Sequence, residues 1–280
     1  MFIELTQRLG WVGSVSFLMI VGVAGAWGWQ VYMRQKKRKA LLSSPFPEGW
    51  EQLLKERWPV YETLPDEVKK RLGGYTRIFV AEKNFEGCGG LEMTEEIKVV
   101  IAAQACLLLA GRELKKVYPA LKSVLVYPHT FVAGGKGIFG GKYDEPSARL
   151  GESWQTGTVI LSWHSVEGGA RNIEDGHNVT LHEFAHQLDQ ADGVADGAPD
   201  LHGSAAKTWA HCFQQEFKDF LDQLDHGKRT VIDDYGATNG AEFFATATEA
   251  FFEKSAQLAD KRPELYVALK DYYGLDPEQW

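Results

Sequence analysis

The chain has 280 residues, 44% of them hydrophobic and 24% charged, and a net charge of −8. This ordinary globular composition excludes a collagen-like chain, a disordered tail protein and a polytopic membrane protein, and it suits one or two domains. Three cysteines, Cys88, Cys106 and Cys212, lie far apart with no CxxC pair, so neither a disulfide framework nor a cysteine-rich zinc ribbon is expected.

The charge is unevenly spread. Residues 1–39 hold six basic side chains (Arg8, Arg34, Lys36, Lys37, Arg38 and Lys39) against one acid, Glu4. The remainder has 24 basic and 37 acidic residues, a net of −13. A body that acidic is ill suited to gripping phosphate backbones, so direct nucleic-acid binding is not expected.

Trp11 to Met33 reads WVGSVSFLMIVGVAGAWGWQVYM, without a charge. About 20 apolar residues cross a bilayer as a helix, and this run is long enough. Trp11, Trp27, Trp29 and Tyr32 lie toward its ends, where aromatic rings favour the headgroup region. RQKKRK follows at once, and by the positive-inside rule that side faces the cytoplasm. A cleaved signal peptide carries its charge before the apolar run and small residues at its end, the reverse of this arrangement. The expectation is a retained single-pass anchor over residues 1–39, spanning about 11–33, in the inner membrane, with the body in the cytoplasm.

Residues 40–65 read as a linker with prolines and a short amphipathic helix. Pro65-Asp66 opens a helix with Val68, Leu72, Tyr75 and Phe79 on one face, weakened by Gly73-Gly74. Thr94-Glu95-Glu96-Ile97 resembles a capped start. The stretch after it, KVVIAAQACLLLAG, is apolar nearly all round and too short to span, so it reads as a buried core helix. Ser123–Tyr127 and Thr158–Trp163 are β-rich. Between them, Val132–Trp154 reads as a mobile Gly-rich loop; Lys136 and Tyr143 break the phosphate-loop spacing around Gly141-Lys142. Helices are expected over about 174–191, 204–224, 240–254 and 263–273. Strands beside helices without βαβ alternation indicate an α+β class.

The chemistry is carried by Val179–Asp189, VTLHEFAHQLD, which contains HExxH. On a helix, positions i and i+4 share a face, so His182 and His186 can reach one ion. Glu183 can stand beside the attacking water as its general base. Histidine suits zinc, and a catalytic zinc takes three protein ligands and keeps one open position. The third ligand is sought among Glu216, Glu242, Glu249, Glu253 and Glu264. Glu242 is a lone acid among apolar and small residues, GAEFFATA, just inside a helix start, where a buried carboxylate is costly unless paired or metal-bound. Glu249 lies on a similar face as alternative ligand or partner, and Glu253, beside Lys254, reads as solvated.

HEFAHQLD followed by YGATNGAEFFATATEAFF resembles the Mlc-titration-factor A family of bacterial zinc peptidases, whose catalytic domain is in turn similar to that of anthrax lethal factor. The likeness covers most of residues 45–275 and leaves the N-terminal segment outside. It implies a helix-rich, zincin-like metallopeptidase domain with a small sheet over residues 66–280, holding one zinc ion per chain. It further implies His182, His186 and Glu242 as zinc ligands, Glu183 as catalytic base, and Tyr235 as the tyrosine that assists the transition state. A phenol near the metal can donate to an oxyanion. The family is also associated with binding a transcriptional repressor, so a regulatory binding module is the alternative to a peptidase acting on peptide or protein substrates.

Several smaller features complete the reading. Asp189 is expected to orient a ligand imidazole or cap the following turn. Asp192, Asp196 and Asp200 lack EF-hand spacing and read as a solvated loop. The sequon at Asn178 falls in the histidine helix and carries no glycosylation expectation. His164, His177, His202, His211 and His226 have no ligand spacing. Thr158–Trp163 reads either as an edge strand able to pair with substrate or as an internal core strand.

Overall fold

The structure, a computed structural model, describes residues 2–114, 116–129, 131–133, 147–149, 151–154, 157–201 and 203–280. It divides into one unit ending at Ser44 and another over Pro45–Trp280. The first is a single helix, α1 (Phe2–Ser43), which runs through the expected span. Met19, Ile20, Val23, Trp27 and Trp29 are exposed on it. Most side chains before Met19 lie outside the described residues, and so does the front of the span. Among the described residues no helix is long and apolar enough to cross a membrane.

The second unit opens with α2 (Glu48–Arg57) and α3 (Val60–Thr63), where Leu54, Trp58 and Tyr61 are buried. Helix α4 (Asp66–Glu82) buries the expected Val68, Leu72, Tyr75 and Phe79. Gly73 does not break it. A Cβ there would sit 3.0 Å from the Phe46 ring, so the glycine lets that ring lie against the helix. Strand β1 (Asn84–Gly87), absent from the sequence reading, follows. Helix α5 (Glu95–Leu107) starts at Thr94, whose Oγ1 accepts from Ile97 N at 3.2 Å. It is buried from Val99 to Leu107 and packs against α2, α4 and α7, the central position that its all-round apolar sequence requires.

Strands β2 (Ser123–Tyr127), β3 (Phe131–Ala133), β4 (Ser147–Arg149), β5 (Gly151–Trp154) and β6 (Thr158–Ser162) come next. One sheet has the order β1-β2-β6-β5; β1, β2 and β6 are parallel and β5 is antiparallel to β6. Strands β3 and β4 form a separate antiparallel pair. The Gly-rich segment read as a loop therefore contributes three short strands, while its middle, residues 134–146, lies outside the described residues. The α+β class holds, but β1-α5-β2 is a parallel crossover, hidden from the sequence reading because Asn84–Gly87 is too polar to read as a strand. Strand β6 is internal. Its run Val159, Ile160 and Leu161 is buried throughout, as a strand covered on both faces must be. Of the two readings of Thr158–Trp163 the internal one therefore holds, and among the described residues β5 lies at the edge beside it.

The remaining helices are α6 (Trp163–Arg171), α7 (Val179–Asp189), α8 (Ser204–Asp225), α9 (Gly240–Glu253), α10 (Ser255–Lys261) and α11 (Pro263–Tyr273). The expected 174–191 helix starts only at Val179, after its cap Asn178. Helices α6 and α10 were not expected. An aromatic core joins α8, α9 and α11: the Phe244 ring lies 5.7 Å from Trp209 and 5.9 Å from Tyr272, and Phe243 lies 5.0 Å from Phe213. Phe244 is fully buried, so Phe244→Ala removes a large ring from a site with little room to collapse. It should cost about 3–5 kcal/mol. Val267→Ala, at a position 54% exposed, should stay within about 0.5 kcal/mol. Urea unfolding followed by circular dichroism measures both; equal losses would contradict the assignment of this core.

Candidate metal centre

Helix α7 carries HExxH on a face fixed from both ends. Its cap Asn178 accepts through Oδ1 from Thr180 N at 3.1 Å and Leu181 N at 3.0 Å. On the apolar side the Phe184 ring packs 5.6 Å from Phe79 and 5.0 Å from Tyr118. This leaves His182 and His186 together, with ring centroids 4.8 Å apart. Helix α9 packs against α7 and begins at Asn239, whose Oδ1 accepts from Glu242 N at 3.0 Å. Glu242 therefore sits in the first turn of α9, facing the histidines.

Three donor atoms converge there. Glu242 Oε2 is 3.0 Å from His182 Nε2 and 3.2 Å from His186 Nε2, and the two nitrogens are 3.2 Å apart. Glu249 Oε1 lies 2.8 Å from His182 Nδ1, at the other edge of the ring. With the Nδ1 proton facing that carboxylate, neutral His182 presents a lone pair to His186 and Glu242. Lone pairs and a carboxylate at this spacing repel unless a proton or a cation lies among them. Burial works to lower the His182 pKa, but the Glu242 and Glu249 carboxylates outweigh it and hold the value well above 6.5. Burial likewise works to raise Glu242, but the two histidines bring its carboxyl down to about 2. The donor set fits a cation. Tetrahedral zinc with ligands at about 2.0–2.1 Å places those ligands ~3.3 Å apart, close to the observed edges. Among the described residues, His182, His186 and Glu242 are the cluster whose ligand atoms can surround one ion.

Glu183 follows His182 on α7 and is 5% exposed, and its charge is close enough to raise the His182 pKa. Tyr235 lies in a three-ten turn over Asp234–Thr238, begun by Asp233 Oδ1 accepting from Tyr235 N at 2.9 Å. Its ring is 56% exposed and 6.1 Å from that of His182. Gly236 lets this turn lie on α9: a Cβ there would be 2.5 Å from Thr246 Oγ1. All five residues singled out in the sequence thus belong to one neighbourhood. Strand β5, the sheet edge, lies alongside α7.

One expectation needs correction, and two open ones resolve. Of its two expected roles Glu249 takes that of a partner: it is buried and bonded to the Nδ1 edge of His182. Glu253 is not solvated. Its Oε1 accepts from Asn178 Nδ2 at 3.0 Å, and burial pushes its carboxyl up to about 8, only partly offset by that bond. Asp189 is fully buried, and its Oδ1 accepts from Gly197 N at 2.9 Å, tying down the loop after α7. The sequence reading missed Asn178 and Gln104. Asn178 Nδ2 also donates to Gln104 Oε1 at 3.0 Å and Gly169 O at 3.3 Å, so this asparagine is locked inside the fold rather than offered to glycosylation. The available signals were an asparagine at a helix start and a lone polar residue within an apolar helix.

Two histidines, one glutamate and an adjacent acid, gathered where helix meets helix, define a metal-dependent hydrolase site. The chain belongs to the glucose-regulated metallo-peptidase M90 family, whose sequence pattern matches residues 32–274. It is 39% identical to an uncharacterized protein of Synechocystis sp., over 94% of this chain and 97% of that one. It is 29% identical to Mlc titration factor A of Cronobacter sakazakii, over 82% of this chain and 87% of the relative. It is 27% identical to that of Serratia proteamaculans, over 90% and 93%.

Glu253 yields a pH prediction. Its folded-state value near 8 lies above the ordinary 4.5, so between those limits the folded protein keeps a proton that the unfolded chain has released. Its contribution is full below the ordinary value and is lost as pH rises through the folded one. Glu253→Gln cannot ionise. The wild type should therefore lose stability relative to this variant between about pH 5 and pH 8. Urea unfolding at several pH values tests it, and parallel profiles would contradict it.

Proposed function

We propose that this chain is a zinc-dependent peptidase, tethered to the inner face of the bacterial membrane by its N-terminal helix. The observation that carries the hydrolytic reading is the convergence of His182 Nε2, His186 Nε2 and Glu242 Oε2 within 3.0–3.2 Å. These three would hold the zinc, one ion per chain, which when bound acts as a Lewis acid that acidifies water and polarises a carbonyl. The Glu183 carboxylate takes the proton of the attacking water and later delivers it to the leaving amine. The Tyr235 hydroxyl donates to the oxygen that becomes negative in the transition state. Strand β5, at the edge of its sheet among the described residues and beside α7, would offer backbone groups to an extended peptide.

The tether rests on the uncharged run from Trp11 to Met33, its exposed Trp27, Trp29 and Tyr32, and the basic RQKKRK after it. The Synechocystis relative matches more of this chain than the family pattern does, so the likeness enters the N-terminal segment. A second reading comes from the relatives called Mlc titration factor A. Their name speaks of titrating Mlc, a repressor, and this chain would then capture a transcriptional repressor as its main task, with peptide hydrolysis secondary. Cells carrying Glu183→Gln separate the two, because capture survives loss of the base.

His182→Ala, His186→Ala and Glu242→Ala should each abolish stoichiometric zinc. Glu183→Gln should keep zinc and lose nearly all hydrolysis. Tyr235→Phe should keep zinc and lower kcat and kcat/KM together, by about 10²-fold, because its hydroxyl acts only in the transition state. Metal analysis beside steady-state kinetics on any cleaved peptide checks all five; an unchanged kcat in Tyr235→Phe would remove that residue from the mechanism.

The tether makes a separate prediction. A reporter fused after Trp280 should be active only in the cytoplasm, and the C-terminus of intact cells should resist external protease. Cleavage from outside would overturn the orientation, and a fully soluble product would overturn the anchor.

A further inference from the structure

On the metallopeptidase reading above, we propose that Glu249 is a positioning residue that fixes which nitrogen of His182 faces the metal, and that Asn178 holds Glu249 for this task. A neutral imidazole can carry its proton on either nitrogen. Only the Nδ1–H form leaves the Nε2 lone pair directed at His186 and Glu242. Glu249 Oε1, 2.8 Å from Nδ1, selects that form, because a carboxylate accepts this proton in a charge-assisted hydrogen bond. Glu249 is 5% exposed, so little water competes for the bond.

The carboxylate is itself held. Its Oε2 accepts from the backbone N–H of Asn178. Asn178 cannot drift, because Oδ1 caps α7 and Nδ2 is shared among Gln104, Gly169 and Glu253. The residue that begins the histidine helix thus also fixes the acid that orients its first histidine. Helix α9 supplies both sides of the clamp: Glu242 meets His182 at Nε2, and Glu249, seven residues on, meets it at Nδ1. The ring can neither flip nor change tautomer without breaking one of these contacts. Asp189, the acid nearest the histidines in sequence on their C-terminal side, is bonded instead to Gly197.

Outer partners of metal-bound histidines typically contribute 10–100-fold to metal affinity. The test uses the purified full-length chain and competition for zinc against a fluorescent chelator. Glu249→Ala should weaken zinc binding by about 10–100-fold. Glu249→Gln keeps the shape and an acceptor oxygen but loses the charge, and should recover part of that loss. Circular dichroism and melting of the zinc-free forms separate lost affinity from lost fold. Two folded variants that bind zinc as tightly as wild type would overturn the proposal. If Glu249→Ala fails to fold, histidine-selective 15N spectra of the zinc-loaded wild type decide. A protonated, hydrogen-bonded Nδ1 on His182 supports the assignment, and metal on Nδ1 overturns it. A wild type that takes up no zinc would overturn the metallopeptidase reading itself, a result distinct from Glu249 variants that bind normally.

Discussion

The packing of α7 against α9 is the constraint on which the rest depends. Each helix alone holds only part of the site: one carries two histidines and two acids, the other three acids among phenylalanines. Their alignment puts Glu242 opposite His182 and His186, and sets Glu249 behind His182. The aromatic core holds that alignment. Phe184 anchors α7 to Phe79 and Tyr118, while Phe243, Phe244 and Phe251 anchor α9 to α8 and α11. Interiors packed this densely transmit shifts rather than absorb them, so the side chains on the two facing helices are held in register.

The same packing buries polar groups that are costly without partners. Glu183, His186, Glu249, Asn178, Gln104 and Asp189 are all buried. The fold meets this cost by making single residues serve several partners. Asn178 caps α7, receives nothing from solvent, and joins α5, α7 and α9 through one side chain. These bonds form together only when all three helices are docked. They therefore act against alternative packings of an aromatic core whose many rings are similar in size and tolerant of repacking.

Sequence patterns carried the parts of this arrangement that depend on local rules. HExxH and the apolar residues around it defined α7, and the isolation of Glu242 in an apolar helix start marked it before any partner was visible. The all-round apolar α5 announced its central position, and the capping pattern at Thr94 gave its start. What could not be read depends on contacts across the chain. Asn84–Gly87 is a strand because Ser123–Val126 lies beside it, not because of its own residues. Glu253 looks like a helix acid bound for solvent, and Glu249 keeps two possible roles, until Asn178, more than 70 residues earlier, is seen bonded to both. Strand β6 and strand β5 are adjacent in sequence, and only the parallel pairing of β6 with β2 determines which becomes the edge.

The site also divides by how firmly its parts are held. His182, His186, Glu183 and Glu242 stand on helices whose opposite faces are in the core, so their positions are fixed before any ligand arrives. Such preorganisation is what electrostatic stabilisation of a transition state requires. Tyr235 is held differently. Its backbone is pinned by Asp233 and by the tight seat of Gly236 on α9, yet its ring is 56% exposed beside His182. On the proposed mechanism, an anchored backbone beneath an exposed ring would let the hydroxyl reach an oxygen whose position depends on the bound peptide. On that mechanism the helix face would set where the chemistry occurs, and the exposed ring on its short turn would be the part that adapts to the substrate.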